Sequence, residues 1–370
     1  MTIGLSVPFN DLGRQRAWAG DAIDEAVARV VSSGWFLAGN EVREFERVFA
    51  AFCGAKDCVG VGSGTDALEL ALRATGVTAG AEVVMAANAG GYAALACIAA
   101  GGIPVFVDID PRSLALDPEA AAAAVTSHTV AVVITHLYGI AADVAALRHL
   151  LPDGLPIVED GSQAHGATRD GKTVGAMADL AAFSFYPTKN LGALGDAGAV
   201  TGTNSELLQL VRRLHQYGWT ERYLAADPPG RNSRLDEIQA AVLRVKLESL
   251  PDRNRERVAI AERWADAAPW PSVHRTAAAG AGGYVGHLHV VRPADRPATV
   301  QELQAQGVAT AIHFPIPDHH QPGIARHSRI ANELPHTEDA CRTVLSLPCF
   351  PELRADEVDH VATVLTSMPS

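Results

Sequence analysis

Ile157-Val158-Glu159-Asp160-Gly161-Ser162-Gln163-Ala164-His165-Gly166 starts as an apolar run, ends it on two acids and breaks at glycine. Its strand, Pro156–Glu159, is one of seven short β-rich runs. The others are Cys58–Val61, Val83–Met85, Pro104–Ile109, Val130–Leu137, Ala181–Phe185 and Ala197–Thr201. Helical patterns separate the early runs. In Thr65–Gly76, Ala67, Leu68, Ala71 and Leu72 share one face, and Pro118–Val125 and Asp143–Leu150 read likewise. Apolar strands alternating with helices predict an α/β fold, a largely parallel sheet covered on both faces. Ligands of such sheets sit beyond the carboxyl ends of the strands, where Asp160 falls.

Outward from that core, an N-terminal helix (Asp21–Val31) and a Gly34-Trp35-Phe36 turn precede the sheet. Ser205–Leu250 reads as mostly helical, with a loop at Asp227-Pro228-Pro229-Gly230 and an amphipathic helix over Asp236–Leu247. A β-rich stretch (Tyr284–Val291) and two helices (Thr299–Gln306, Asp356–Leu365) follow. The expected division is a large domain over 1–250 and a smaller α+β domain over 251–370.

Composition narrows the function. The 370 residues carry 30 Lys plus Arg against 42 Asp plus Glu, a net charge of −12, which argues against a general affinity for nucleic acid. No run approaches the ~18 apolar residues that span a bilayer, so no membrane association is expected. The first sixteen residues show no basic start with an apolar run, and no signal peptide is expected. Five cysteines without a CxxC pair predict neither a zinc nor a disulfide framework, no metal, and a cytoplasmic setting.

Four segments carry candidate chemistry. Gly62-Ser63-Gly64-Thr65-Asp66 joins a strand to a helix, and free N–H groups there suit an anion. Read alone, it is equally a tight turn with Thr65 as N-cap. Gly60–Gly64 fits a dinucleotide fold poorly, because Glu82 begins its strand where the ribose-binding acid should end one. Asp160 could hold a protonated heteroaromatic nitrogen, with Gln163 donating nearby, or be satisfied by loop amides. Ala182-Phe183-Ser184-Phe185-Tyr186-Pro187-Thr188-Lys189-Asn190-Leu191-Gly192 places a lysine at a strand end, where desolvation would make its amine nucleophilic. Gly230-Arg231-Asn232-Ser233-Arg234-Leu235-Asp236-Glu237 is a polar run before a helix, either a site, an interface or a plain capping loop.

Together these segments resemble the DegT/DnrJ/StrS-type sugar aminotransferases, pyridoxal-phosphate-dependent enzymes of the aspartate-aminotransferase fold (fold type I). Ser33–Leu37, Val105–Asp110, His313-Phe314-Pro315-Ile316-Pro317 and Leu345–Pro348 extend the resemblance over nearly the whole chain. It implies that Lys189 carries pyridoxal 5'-phosphate and shuttles a proton, and that Asp160 holds the pyridine nitrogen. It places Gln163 by the ring oxygen and Gly64, Thr65 and Ser184 on the phosphate. Asn232 would reach the phosphate of the neighbouring subunit, in a homodimer with shared sites. One departure concerns the aromatic residue that stacks on the ring in many relatives: Gly90 stands there, and Tyr92, two residues on, is the candidate.

Asn88-Ala89-Gly90-Gly91-Tyr92 and Gln216–Tyr223 are most similar to the branch that transfers the amino group of glutamate to C-3 of a dTDP-3-keto-6-deoxyhexose. The amino sugar of that branch decorates a secondary metabolite or a surface glycan. Arg231 or Arg234 would grip the diphosphate. Transfer at C-4 of a dTDP-4-keto-6-deoxyhexose is the alternative, and a non-catalytic sensor with the same fold is a third reading. A dehydratase of this fold carries histidine in place of the lysine, which Lys189 argues against.

Overall fold

Side-chain alternation along the strands sorts the core into two layers. The computed structural model describes residues 5–227 and 230–369. Its central sheet has β1 (Asp57–Val61), β2 (Glu82–Ala86), β3 (Ile103–Val107), β4 (Thr129–Thr135), β5 (Ile157–Asp160), β6 (Leu180–Ser184), β7 (Gly198–Gly202) and β8 (Arg329–Ile330). Their spatial order is β1-β7-β6-β5-β4-β2-β3-β8. Neighbours are parallel except around β7, which is antiparallel to both β1 and β6. Val59, Val61, Val83, Met85, Val133, Val158 and Ala182 pack on one face against helices Gly64–Ala74, Tyr92–Ala100 and Ser205–Leu214. Their strand neighbours turn to the other face, where Val84, Val105, Val132 and Ile157 meet helices Pro118–Ala123 and Val144–Leu150. Phe45, Phe49, Phe183 and Phe185 form an edge-to-face aromatic cluster beneath the β6 end of that face.

All seven expected strands form, with ends displaced by a residue or two. β8 was not expected: two residues carry no periodic signal, and only pairing to β3 and the Arg329–Glu82 ion pair, at 2.8 Å, hold it. The helix expected over Asp236–Leu247 runs on to Ala267, through Pro251 and the expected division at 250, because Ala261 and Trp264 are buried on its far half. Of the stretch Tyr284–Val291 only His289–Val291 is a strand, paired with Leu345–Leu347. Gly286 interrupts it at φ +63°, where an added Cβ would lie 2.6 Å from that of Arg257. Pro228 and Pro229 of the expected loop lie outside the described residues. No helix among the described residues is long and apolar enough to cross a membrane.

Helix Asn40–Cys53 buries Val42, Phe45, Phe49 and Cys53 on one face, and its cap is remote. Gly39, at the N-cap, offers no side chain. Buried Glu237 instead accepts the N–H groups of Gly39 (2.7 Å), Glu41 (2.9 Å) and Val42 (3.1 Å). A carboxylate at a helix start gains from the dipole as well as from the hydrogen bonds. Glu237→Ala would strand these donors, so it should cost about 3 kcal/mol, read as a lower urea unfolding midpoint. An unchanged midpoint would show that water replaces the carboxylate.

Candidate active site

The register of the sheet gathers the site. Asp160, the last residue of β5, lies beside Thr135 of β4 and Ala182 of β6. Two residues further along β6, Ser184 faces Gly198, which also faces Val61 at the end of β1. The chain then turns through Gly62 and Ser63 into helix Gly64–Ala74. One cavity of about 600 Å³ opens over this edge, a size that suits a cofactor with part of a substrate. Gly64, Thr65, Tyr92, Asp160, Gln163, Ser184 and Lys189 all line it.

Ser63, not Thr65, is the N-cap of that helix. Its hydroxyl accepts the Asp66 N–H at 3.1 Å. Thr65 is therefore exposed to the cavity with its hydroxyl uncommitted among the described hydrogen bonds. Gly64 is required sterically: an added Cβ would stand 2.4 Å from the Ser184 Cβ. Gly198 is pressed equally close, 2.3 Å from the Ser63 carbonyl oxygen. The result is a small cradle of helix-start N–H groups and hydroxyls, a setting that favours an anion.

Two adjacent acids on β5 serve different faces. Glu159 is wholly buried; it accepts the N–H groups of Gly175, Met177 and Ala178 at 3.0–3.1 Å and lies 2.9 Å from His136 Nε2. Asp160 points into the cavity and, among the described residues, accepts only the Ser162 N–H, at 3.1 Å. The Gln163 carbonyl is held at 2.7 Å by the Tyr138 N–H, which leaves its amide N–H groups as donors.

Burial lowers the Lys189 amine to about 8, against the opposing pull of Asp160. Three histidines surround it uncharged. Desolvation, with Lys189 adding repulsion, pushes His165 down to about 3, His313 to about 4 and His287 well below its usual value. His287 and His313 line the cavity. His165 does not; it packs between Phe183 and Phe185. Asn190 braces the lysine loop, donating to Asn254 and to the Val285 carbonyl, both at 2.9 Å. These donors and acceptors fit a phosphorylated, protonatable heteroaromatic aldehyde: an anion cradle, a free carboxylate, an amide donor and an uncharged-prone amine share one cavity.

The far wall of the cavity has no motif of its own in the sequence. Arg257, His287, His313 and Phe314 come from beyond residue 250. His287 falls in the β-rich stretch Tyr284–Val291 and His313-Phe314 in a segment of family resemblance, and neither segment carries a local signal of a role. Phe314 occupies the space that a side chain at position 90 would need: a Cβ on Gly90 would lie 2.9 Å from its ring. Tyr92 stands edge-on to that ring at 6.1 Å between centroids. Asn232 lies outside the cavity, exposed, with its carbonyl accepting from Arg234 at 2.9 Å. Arg231 is no free anion ligand, because it pairs with Asp66 at 3.0 Å and with Glu69, and neither Arg231 nor Arg234 lines the cavity.

Known proteins resemble the chain over nearly its whole length. The chain is 42% identical over 363 residues to the erythromycin biosynthesis sensory transduction protein EryC1 of Saccharopolyspora erythraea, covering 98% of this chain and 99% of that one. It is also 42% identical over 357 residues to a dTDP-3-amino-3,4,6-trideoxy-alpha-D-glucose transaminase of Streptomyces venezuelae, covering 96% and 94%. The solved structure of S. venezuelae DesV in complex with a ketimine intermediate superposes with a TM-score of 0.91 at 40% identity, over 98% of each chain. Residues 19–366 match a family described as DegT/DnrJ/EryC1/StrS aminotransferases, and the chain belongs to that family.

Proposed function

We propose that this chain is a pyridoxal-phosphate-dependent aminotransferase that moves an amino group from glutamate to C-3 of a dTDP-3-keto-6-deoxyhexose. The observation that carries the reading is the Lys189 amine, lowered to about 8, in one cavity with the free Asp160 carboxylate and the helix-start cradle. The name of the S. venezuelae relative supports the nucleotide and the C-3 position. When bound, the cofactor supplies an electron sink for the carbon that bears the amine. Gly64, Thr65 and Ser184 hold its phosphate. Asp160 keeps the pyridine nitrogen protonated, and the Gln163 amide donates to the ring oxygen. Tyr92 forms the aromatic wall. Near neutrality the Lys189 Nζ can take and return a proton, which is the role asked of a general base.

The protein acts as a homodimer on this reading. Asn232, outside its own cavity and fixed by Arg234, reaches the phosphate of the neighbouring subunit.

Borohydride treatment of the holoenzyme should fix the cofactor to the peptide containing Lys189, and labelling at Lys172 or Lys246 would sink the assignment. Reaction of cofactor-free protein with pyridoxal phosphate should accelerate as pH rises through about 8, where the amine loses its proton. Mixing inactive Lys189→Ala with a crippled Asn232→Ala variant should restore activity, since each mixed dimer has one site with both groups intact. No recovery after confirmed subunit exchange counts against a shared site.

Asp160→Ala should leave the fold intact and cost about 2–4 kcal/mol of transition-state stabilisation, or roughly 30- to 1000-fold in kcat. Glu159→Ala should instead lower stability, by about 3–5 kcal/mol, since it strands three N–H groups and a histidine. Near-normal turnover in Asp160→Ala would reassign the acid.

Regiochemistry is tested by offering dTDP-3-keto- and dTDP-4-keto-6-deoxyglucose separately, with glutamate, and locating the new amine by NMR. Amination at C-3 is expected. Reaction with the 4-keto sugar alone would overturn the C-3 reading and leave the aminotransferase standing.

A further inference from the structure

Beyond the cavity, a turn and a helix bring two imidazoles and a carboxylate to one point. His319 and His320 lie on the short turn Asp318–His320, and Glu338 on the first turn of helix Pro335–Thr343. Both Nε2 atoms address the same carboxylate oxygen, His319 at 3.4 Å and His320 at 3.6 Å, and the three donor atoms lie within 4.8 Å of one another. None of the three residues lines the cavity.

The plain alternative is a pair of His–Glu hydrogen bonds. Those bonds close to about 2.7–3.2 Å when nothing prevents it. Here both contacts are longer, although the exposed Glu338 and His320 side chains could rotate to shorten them. The spacing matches a different arrangement. A tetrahedral ion with bonds of about 2.0–2.1 Å holds its donor atoms about 3.3 Å apart. The buried His319 imidazole also lacks a good partner, since its Nδ1 has none and its Nε2 has only the long contact to Glu338. An ion would supply the close partner that Nε2 lacks, while Nδ1 stays unpaired.

We propose that His319, His320 and Glu338 form a site for one divalent transition-metal ion of the zinc class, completed by water at the exposed fourth position. Two imidazoles and one carboxylate are a donor set that zinc takes, and one that magnesium and calcium, which prefer all-oxygen shells, do not. The cysteine spacing gave no hint of it because no cysteine takes part. The ion would clip the turn after His313-Phe314 to helix Pro335–Thr343. That turn is tied to the end of β2 by the Asp318 N–H, which donates to the Ala87 carbonyl at 2.8 Å. The site therefore braces the wall that carries Phe314.

The test is calorimetric titration of ZnCl2 into EDTA-treated, dialysed holoenzyme in phosphate-free buffer. His320→Ala and Glu338→Gln serve as variants, because both side chains are exposed enough to change without unfolding the chain. One ion per chain is expected, bound about 10-fold or more weakly in each variant. With Co2+ in place of Zn2+, the native protein should show the intense visible band of a four-coordinate ion, and the variants should lose it. Metal-free melting temperatures of the variants should equal that of the native protein. No saturable binding by the native protein overturns the proposal. So does equal affinity in the variants, which would place the ion on the cofactor or on other histidines.

Discussion

The site depends on the burial of Glu159. A carboxylate removed from water must be satisfied by donors, and this one has three backbone N–H groups and an imidazole around it. Those contacts fix the end of β5 against the loop Gly175–Ala178. Once Glu159 is held on that face, strand alternation sends its neighbour to the other. Asp160 thus arrives in the cavity with little else to bond. A slip of one residue would exchange the two acids and put the anchored one in the site.

From that fixed end the sheet transmits position sideways. Asp160, Ser184 and Val61 sit on three strands brought level by backbone pairing. The approach is close enough that glycine is needed at 64 and 198. Charge is arranged as deliberately as shape. Lys189 lies among histidines too buried to ionise, and so Asp160 is its chief favourable electrostatic partner. A lysine amine near neutrality in pKa follows from that balance of desolvation and a single carboxylate.

The wall opposite the sheet comes from residues beyond 250, and it explains the unusual Gly90. The room left by its missing side chain is taken by Phe314, 224 positions later in the numbering, so an aromatic surface remains at that corner. A bulky residue at 90 and Phe314 in its present place are mutually exclusive. The space beside the candidate ring site is therefore set by two distant segments jointly, with Tyr92 edge-on to Phe314.

The sequence by itself determined the strand–helix alternation, the acid at the end of β5, the lysine after β6 and the glycine-rich turn after β1. These are local signals: short continuous apolar runs, and polar residues where an apolar run stops. It also carried enough motif to point to the family. It could not say what holds Glu159 on the opposite face from Asp160, that Ser63 rather than Thr65 caps the helix, or that Arg231 is already paired. Nor could it reveal the remote Glu237 cap of helix Asn40–Cys53, almost two hundred residues away, or β8, which two residues and an ion pair define. Apart from the Ser63 cap, which is local, each of these rests on a contact between segments distant in the chain. Their free energy exists only once the fold has closed, so no window of neighbouring residues contains it.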